Sequence, residues 1–221
     1  MPPYIILALI MSLVWLCLVI LRKNSRQKML VMSLAVIPFA FFDYFSQPGY
    51  WHPQTFFSMP VGIEGMIFGF SFGGVAAVLY SVDKDIVNKP AKQSIAFKNI
   101  VALSPVLITS LGLYFLFGIN MMISLPIGLL TGCIVILKMR PNLGKKLLYS
   151  GLYFGLLYTF VLSFWLLLFP HARDWWDLDI YGGITLLNVP LGEVIFGFIF
   201  SAFWGVLYEF ILEKSKSAHA Q

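Results

Sequence analysis

The sequence predicts an all-α integral membrane protein: seven transmembrane helices in a 3+1+3 parallel internal repeat, with the N-terminus outside and the C-terminus cytoplasmic. Composition, the placement of basic residues and one duplicated segment support this fold class. Of the 221 residues, 59% are hydrophobic and 11% are charged, whereas soluble domains carry about 25% charged residues. The net charge of +5 is therefore interpreted as a sign of membrane orientation, with no nucleic-acid partner expected.

Seven apolar segments each approach the ~20 residues that a helix needs to cross the hydrocarbon core. Lipid offers the backbone no hydrogen bonds, so each segment is expected to be helical. The first has no basic residue before it and is too long for the apolar part of a signal peptide, so we expect an uncleaved span. The segments are residues 3–21, 29–46, 60–82, 99–118, 120–138, 147–170 and 185–212.

Basic residues set the expected orientation. All but one of the 15 lysines and arginines lie in the loops 22–28, 83–98 and 138–146 or in the C-terminal tail, and the exception is Arg173. Cytoplasmic loops of membrane proteins are enriched in Lys and Arg. We therefore expect these loops on the cytoplasmic side of the cytoplasmic (inner) membrane, and seven spans then put the N-terminus outside.

One apolar segment occurs twice. Residues 62–80 (GIEGMIFGFSFGGVAAVLY) and 190–208 (PLGEVIFGFIFSAFWGVLY) align without a gap, and eight of the nineteen positions are identical. The aromatic outer loops and basic inner loops recur with them. This predicts two three-helix repeats, 1–82 and 119–221, joined by a cytoplasmic loop and a linking helix, 83–118. A single linking span keeps both repeats in one orientation, and such repeats commonly form a central site at their interface.

Small residues recur every four positions in both copies, which predicts close packing between the third and seventh spans. Glu193 lies on the small-residue stripe of the second copy. The aligned position in the first copy is Gly65, which would leave space for Glu193, and Glu64 is rotated from it by about 100°. The stripes are Gly65, Gly69, Gly73 and Ala77 in one copy and Gly197, Ser201 and Gly205 in the other.

Glu64 and Glu193 are the candidate catalytic residues. An acid at the centre of a spanning helix costs about 2.5–3.5 kcal/mol, and a buried carboxyl can avoid part of this cost by staying protonated. Acids at adjacent positions of duplicated helices favour a functional site over simple packing. Two carboxyls in unlike surroundings can divide the acid and base roles, and the sequence leaves open which one donates. Asp43, which follows an apolar run, is the next candidate.

Acid–base chemistry in an apolar cavity suits a lipid-soluble polyene. Protonation of an alkene forms a carbocation, which aromatic faces stabilise through their negative quadrupole. The candidate substrate-binding residues are Phe68, Phe72, Phe196, Phe200 and Trp204. Cys17 and Cys133 lie in apolar segments without metal-ligand spacing, and no Gly-x-Gly-x-x-Gly turn follows a strand. We therefore expect no disulfide, metal or cofactor.

The chain resembles the membrane-embedded lycopene cyclase domain family. The resemblance rests on the three-span halves, on the loops YWHPQTFF (50–57) and WWDLDIYGG (175–183), and on the start of the third span in each half. There the family has Pro-(Ile/Leu)-Glu-Glu before a Phe-rich run, and this chain has GIEG (62–65) and PLGE (190–193). Each half keeps a different glutamate. The resemblance implies a redox-neutral isomerase that uses carboxyl groups and no metal on a carotenoid or another isoprenoid.

Three other classes of membrane protein are relevant to a sequence of this pattern. A small-solute transporter of 3+1+3 topology is consistent with Pro38, Pro105 and Pro126 within spans, but few polar residues line the spans and the acids lie near one end. A non-catalytic membrane scaffold stays open as an alternative. A retinal-binding protein requires a lysine in the seventh span, and residues 185–212 contain none. The sequence specifies no oligomeric state.

Overall fold

The computed structural model describes residues 2–46, 49–56, 62–80, 93–95 and 97–214, without the side chains of residues 40, 41, 43, 93–95, 213 and 214. Much of the basic loop predicted at 83–98, with Lys84, Lys89 and Lys92, lies outside the described residues, as does Lys216 of the tail. The described part is almost entirely helical. The helices are α1 (Pro3–Leu21), α2 (Arg26–Val36), α3 (Phe42–Ser46), α4 (Ile63–Val78), α5 (Phe97–Val101), α6 (Ser104–Phe117), α7 (Met121–Met139), α8 (Gly144–Leu168) and α9 (Leu191–Ile211).

Five helical stretches of the described chain are long and apolar enough to cross a membrane. They are Pro3–Leu21, Phe97–Phe117, Met121–Met139, Pro141–Leu168 and Leu191–Ile211. Their outward faces carry large apolar side chains such as Leu13 and Leu116, as expected where lipid replaces water. The protein is therefore an integral membrane protein, and α4, with 16 residues, is a shorter apolar helix.

The segment 29–46 differs from the single span that its composition predicts. Helix α2 ends at Val36, a 3₁₀ turn follows over Ile37–Phe41, and α3 continues from Phe42. Pro38 accounts for the break because it has no N–H for the hydrogen bond to Leu34. The amide of Ile37 donates to Leu34 instead, three residues back. The seven-span arrangement and the internal repeat stay predictions.

Helix α9 begins later than predicted. Residues 185–190 were expected to be helical, but they form an antiparallel hairpin of β2 (Thr185–Leu186) and β3 (Val189–Pro190). Its two turn residues, Leu187 and Asn188, have φ values of 52° and 67°, the left-handed pair that matches the twist of a two-residue hairpin. The other described strands, β1 (Gln93–Ile95) and β4 (Leu212–Lys214), also pair antiparallel.

The small-residue stripes pack differently from the prediction. Gly73 faces α2, where an added Cβ would lie 2.7 Å from Val36. Gly197 faces α8, with the corresponding distance to Tyr158 at 2.6 Å. Helices α4 and α9 do meet at two residues of the predicted α9 stripe. The Ser201 hydroxyl donates to the carbonyl of Ala76 at 3.3 Å, and a Cβ added at Gly205 would lie 3.2 Å from the same oxygen. In α4, Gly73 packs against α2 instead, whereas Gly65 and Gly69 line a cavity.

Candidate functional site

Glu193 lies buried in the first turn of α9, with 8% of its surface exposed. Two side chains donate hydrogen bonds to its carboxyl group: Tyr158 Oη to Oε2 at 2.6 Å and Trp176 Nε1 to Oε1 at 3.0 Å. The first turn of a helix also favours negative charge through the unpaired N–H groups and the macrodipole. The surroundings are therefore built to hold Glu193 in one orientation and to tolerate its charge.

The two donors reach Glu193 from different elements. Tyr158 projects from α8, and Gly197 leaves the space that its ring fills. Trp176 follows the 3₁₀ turn Pro170–Trp175 and pairs with Trp51 in an isolated antiparallel bridge. The amide of Asp177 donates to the carbonyl of Tyr50 at 2.9 Å. The two predicted outer loops are thus joined to each other beside the carboxyl group.

An apolar cavity of about 140 Å³ lies next to Glu193. Engineered apolar cavities of ~150 Å³ admit a molecule the size of benzene, so there is room for one six-membered ring and not for a whole carotenoid. Gly65 and Gly69 of α4 form part of its wall, as do Leu125 and Leu129 of α7. Glu193 is the single carboxyl among the described residues that line it.

All five aromatic residues proposed from the sequence as substrate contacts line this cavity: Phe68, Phe72, Phe196, Phe200 and Trp204. Their rings form a continuous wall. Phe72 lies 4.9 Å from Phe200 between ring centroids, and Phe200 lies 5.3 Å from Trp204. The i, i+4 spacing along α4 and α9 puts each set on one helix face. Several π faces therefore surround the space beside the carboxyl group.

Glu64 is placed differently from Glu193. It is fully buried, and its Oε1 accepts a hydrogen bond from the backbone amide of Phe56. It is not among the described residues that line the cavity, whereas its neighbour Gly65 is. One residue turns a helix by about 100°, so the residue aligned with Glu193 faces the cavity and Glu64 faces the loop. The side chain of Asp43 lies outside the described residues.

Gly192 marks a departure from the family pattern, which has a glutamate there. A Cβ at this position would lie 2.5 Å from the hydroxyl of Tyr50 and 2.5 Å from the ring of Tyr181. The phenol groups of Tyr50 and Tyr181 therefore occupy the space that a side chain at position 192, next to Glu193, would need. Sequence reasoning missed Tyr50, Tyr158 and Trp176 as site residues. Tryptophans in outer loops are also typical membrane-interface anchors, and no pattern distinguished the tyrosines.

A second polar cluster, also missed from the sequence, lies near the C-terminal end of α9. Lys28 and Lys146 contact Glu209 Oε1 at 2.8 and 2.7 Å. Arg140 donates to the carbonyl of Glu209 at 2.6 Å, and Lys28 to that of Gly205 at 3.1 Å. Cations are favourable at the C-terminal end of a helix. This cluster connects α2, α7 and α8 to α9 at the end away from Glu193.

The fold and the site define a class: a helical membrane protein with a buried carboxyl facing a ring-sized aromatic cavity. Among the described residues, no three His, Cys, Asp or Glu side chains are grouped to hold a metal ion. Residues 120–211 match the family model for lycopene cyclase, the family that the sequence motifs resemble. This family implies a carotenoid cyclase with a carotenoid substrate. No curated protein and no solved structure was found to match the chain.

Proposed function

We propose that this protein is a lycopene cyclase-like isomerase that closes the end ring of a carotenoid or related polyene by proton transfer from Glu193. The observation that carries the proposal is the buried carboxyl on the wall of an aromatic, ring-sized cavity. The family match supports it because residues 120–211 include Glu193, its two donors and three of the five wall aromatics. A cavity of this size suits one end group, with the rest of the polyene outside.

The reaction is redox-neutral. The carboxylic acid of Glu193 adds its proton to the terminal double bond, and the resulting carbocation is attacked by an internal double bond, which forms the ring C–C bond. The carboxylate then removes a proton from the ring cation, which gives the ring alkene and restores the acid. Substrate and product are isomers, and the general acid and base are one group in two protonation states.

The aromatic wall suits the charge that develops. The faces of Phe and Trp attract cations, and this attraction strengthens when water is excluded. Phe72, Phe200 and Trp204 lie in contact with one another along the cavity, so a cation moving along the closing ring stays near a π face. The carboxylate of Glu193 would be the nearest base in this proposal.

Glu64 takes a different part in this proposal. Its hydrogen bond from the amide of Phe56 connects the loop 49–56 to the first turn of α4. That loop carries Trp51, which contacts Trp176 at 4.3 Å between ring centroids. Glu64 thus supports the loop that supports Trp176, and we assign it a positioning role.

The proposed topology is the seven-span 3+1+3 repeat in the cytoplasmic membrane, with the N-terminus outside and the division at 83–118. Two features support it. The bridge between Trp51 and Trp176 joins equivalent outer loops of the two repeats. Glu193 and the basic cluster around Glu209 lie at opposite ends of α9, as expected if the basic end faces the cytoplasm.

The test uses the purified full chain in vesicles that contain lycopene, in deuterated water. The proposal predicts cyclised carotenoid with one deuterium per ring formed, because the acid proton of Glu193 exchanges with solvent. Vesicles without protein are the control. Unchanged lycopene, or rings without deuterium, would refute proton-initiated cyclisation, and uptake of a polar solute instead would favour a transporter.

A further inference from the structure

Tyr50 has a buried hydroxyl group whose only polar neighbour in the site is loosely held. The residue is 1% exposed, and its Oη makes no hydrogen bond of normal geometry among the described residues, although it interacts with the carboxyl group of Glu193. Buried polar groups are nearly always hydrogen-bonded, and the exceptions call for an explanation. A tyrosine kept where a phenylalanine would fill the same space suggests that the hydroxyl acts in another state of the site.

The backbone fixes where this hydroxyl lies. The amide of Tyr50 donates to the carbonyl of Ser46 at 3.0 Å, and its own carbonyl accepts from the amide of Asp177 at 2.9 Å. Its Oη would lie 2.5 Å from a Cβ built on Gly192, the residue before Glu193. The ring of Tyr50 also packs edge-on against Tyr181, at 6.3 Å between centroids. The phenol is therefore held at the start of α9, beside the carboxyl group.

The electrostatics keep this phenol a donor. Burial, and next the charge of Glu193, raise the pKa of Tyr50 well above its ordinary value of 10.0. The same two causes raise the pKa of Tyr181. Tyr50 therefore keeps its proton throughout the pH range in which membrane enzymes work, and its O–H group stays available to donate to negative charge nearby.

Glu193 gains an acceptor site when it loses its proton. As an acid it has one O–H donor and fewer free lone pairs, and as a carboxylate it offers about four acceptor sites on two oxygens. Tyr158 and Trp176 occupy one site on each oxygen. Donors that bond only to the charge formed during reaction lower the barrier, while bonds made equally before and after do not.

We propose that Tyr50 is a positioning residue whose loose contact with Glu193 tightens into a full hydrogen bond when Glu193 becomes a carboxylate. This inference rests on the proposed function, because the carboxylate state arises when Glu193 protonates the polyene. Tyr50 itself is not among the described residues that line the cavity. It acts through Glu193, and it connects the first outer loop to the chemistry at the start of α9.

The first measurement is infrared spectroscopy of the purified full chain, which needs no substrate. The bands of Glu193 are identified by their loss in Glu193→Gln. In Tyr50→Phe the carboxylate band is expected to shift from its wild-type position by more than the carboxylic acid band does. Tyr114→Phe is the control, because Tyr114 packs against Phe45 and Phe115 away from the carboxyl. An unshifted carboxylate band in Tyr50→Phe would overturn the inference.

The second measurement separates a positioning role from a structural one. Tyr50→Phe removes a hydroxyl that makes no hydrogen bond of normal geometry in the resting site and keeps the ring, so its thermal unfolding should match the wild type. Its kcat should fall about tenfold to a hundredfold with KM unchanged, as for loss of one donor to a developing anion. Its solvent deuterium isotope effect should increase. A wild-type kcat in Tyr50→Phe would overturn the inference. If the wild-type protein cyclises nothing, the proposed function is refuted instead. The infrared shift then still tests whether Tyr50 bonds to Glu193.

Discussion

The packing of α9 against α8 and α4 makes a sharp prediction at Gly205. A Cβ at this position would lie 2.8 Å from the Cβ of Ser150 and 3.2 Å from the carbonyl oxygen of Ala76. The second distance is tight, and the first is shorter than real carbon–carbon contacts. Because Ser150 Cβ is attached directly to the backbone, no side-chain rotation relieves the contact. Gly205→Ala must therefore separate α8 from α9.

The magnitude follows from three effects. Overpacking of this kind costs about 1–3 kcal/mol. The displaced Ser150 also weakens its hydrogen bond with Ser201, which is 3.2 Å long, and such bonds between membrane helices contribute about 0.6 kcal/mol. The gain in helix propensity from glycine to alanine is about 1 kcal/mol. The net destabilisation expected is roughly 0.5–2.5 kcal/mol.

Gly112→Ala is the matched control, because a Cβ there meets nothing within 4 Å and only the propensity gain remains. Thermal unfolding of both variants in the same detergent measures the difference. At about 2–4 °C for each kcal/mol in a chain of this size, Gly205→Ala should melt several degrees below Gly112→Ala. Equal melting temperatures would refute the close packing of the three helices.

Two further predictions concern charge. Glu209→Gln leaves Lys28 buried without its carboxylate and should lower the free energy of unfolding by about 2–3 kcal/mol. This value is at or below the lower end for buried pairs, because 31% of the Glu209 side chain is exposed. Lys146→Gln should lower it less, and the reverse order in thermal unfolding would contradict the pairing. Wild-type stability should also fall as pH rises above 10, since the unfolded phenol of Tyr50 ionises while its raised folded-state pKa keeps it protonated. Tyr50→Phe should lose less stability between pH 10 and 11, and equal losses would argue against a buried phenol.

The helical, membrane-embedded class could be predicted because apolar runs near 20 residues leave the backbone no other way to satisfy its hydrogen bonds. The aromatic wall could be predicted because Phe196, Phe200 and Trp204 follow the four-residue spacing of one helix face. The break at Pro38 and the hairpin before α9 were missed, since their apolar composition also fits a helix. At both places the local backbone requirement, of Pro38 in one case and of the two-residue turn at Leu187 and Asn188 in the other, determines the structure more than apolar composition does.

The remainder of the site depends on contacts between distant parts of the chain. Tyr50, Tyr158 and Trp176 meet Glu193 from two loops and α8, and no local pattern encodes that meeting. The helix face of Glu64 could be predicted, because Glu64 is offset by one residue from Gly65, the position aligned with Glu193. What the sequence lacked was the partner on that face, the backbone amide of Phe56.

The most direct test of the central claim compares two conservative variants in cells that accumulate lycopene. Glu193→Gln keeps the size of the side chain that faces the cavity, and Glu64→Gln does the same for the side chain that faces the loop. With equal expression, Glu193→Gln should lower cyclised carotenoid at least ~100-fold, as for loss of a general acid, while Glu64→Gln should retain cyclised product. Cyclised carotenoid at wild-type levels in Glu193→Gln, or its loss in Glu64→Gln alone, would contradict the assignment of Glu193 as the acid.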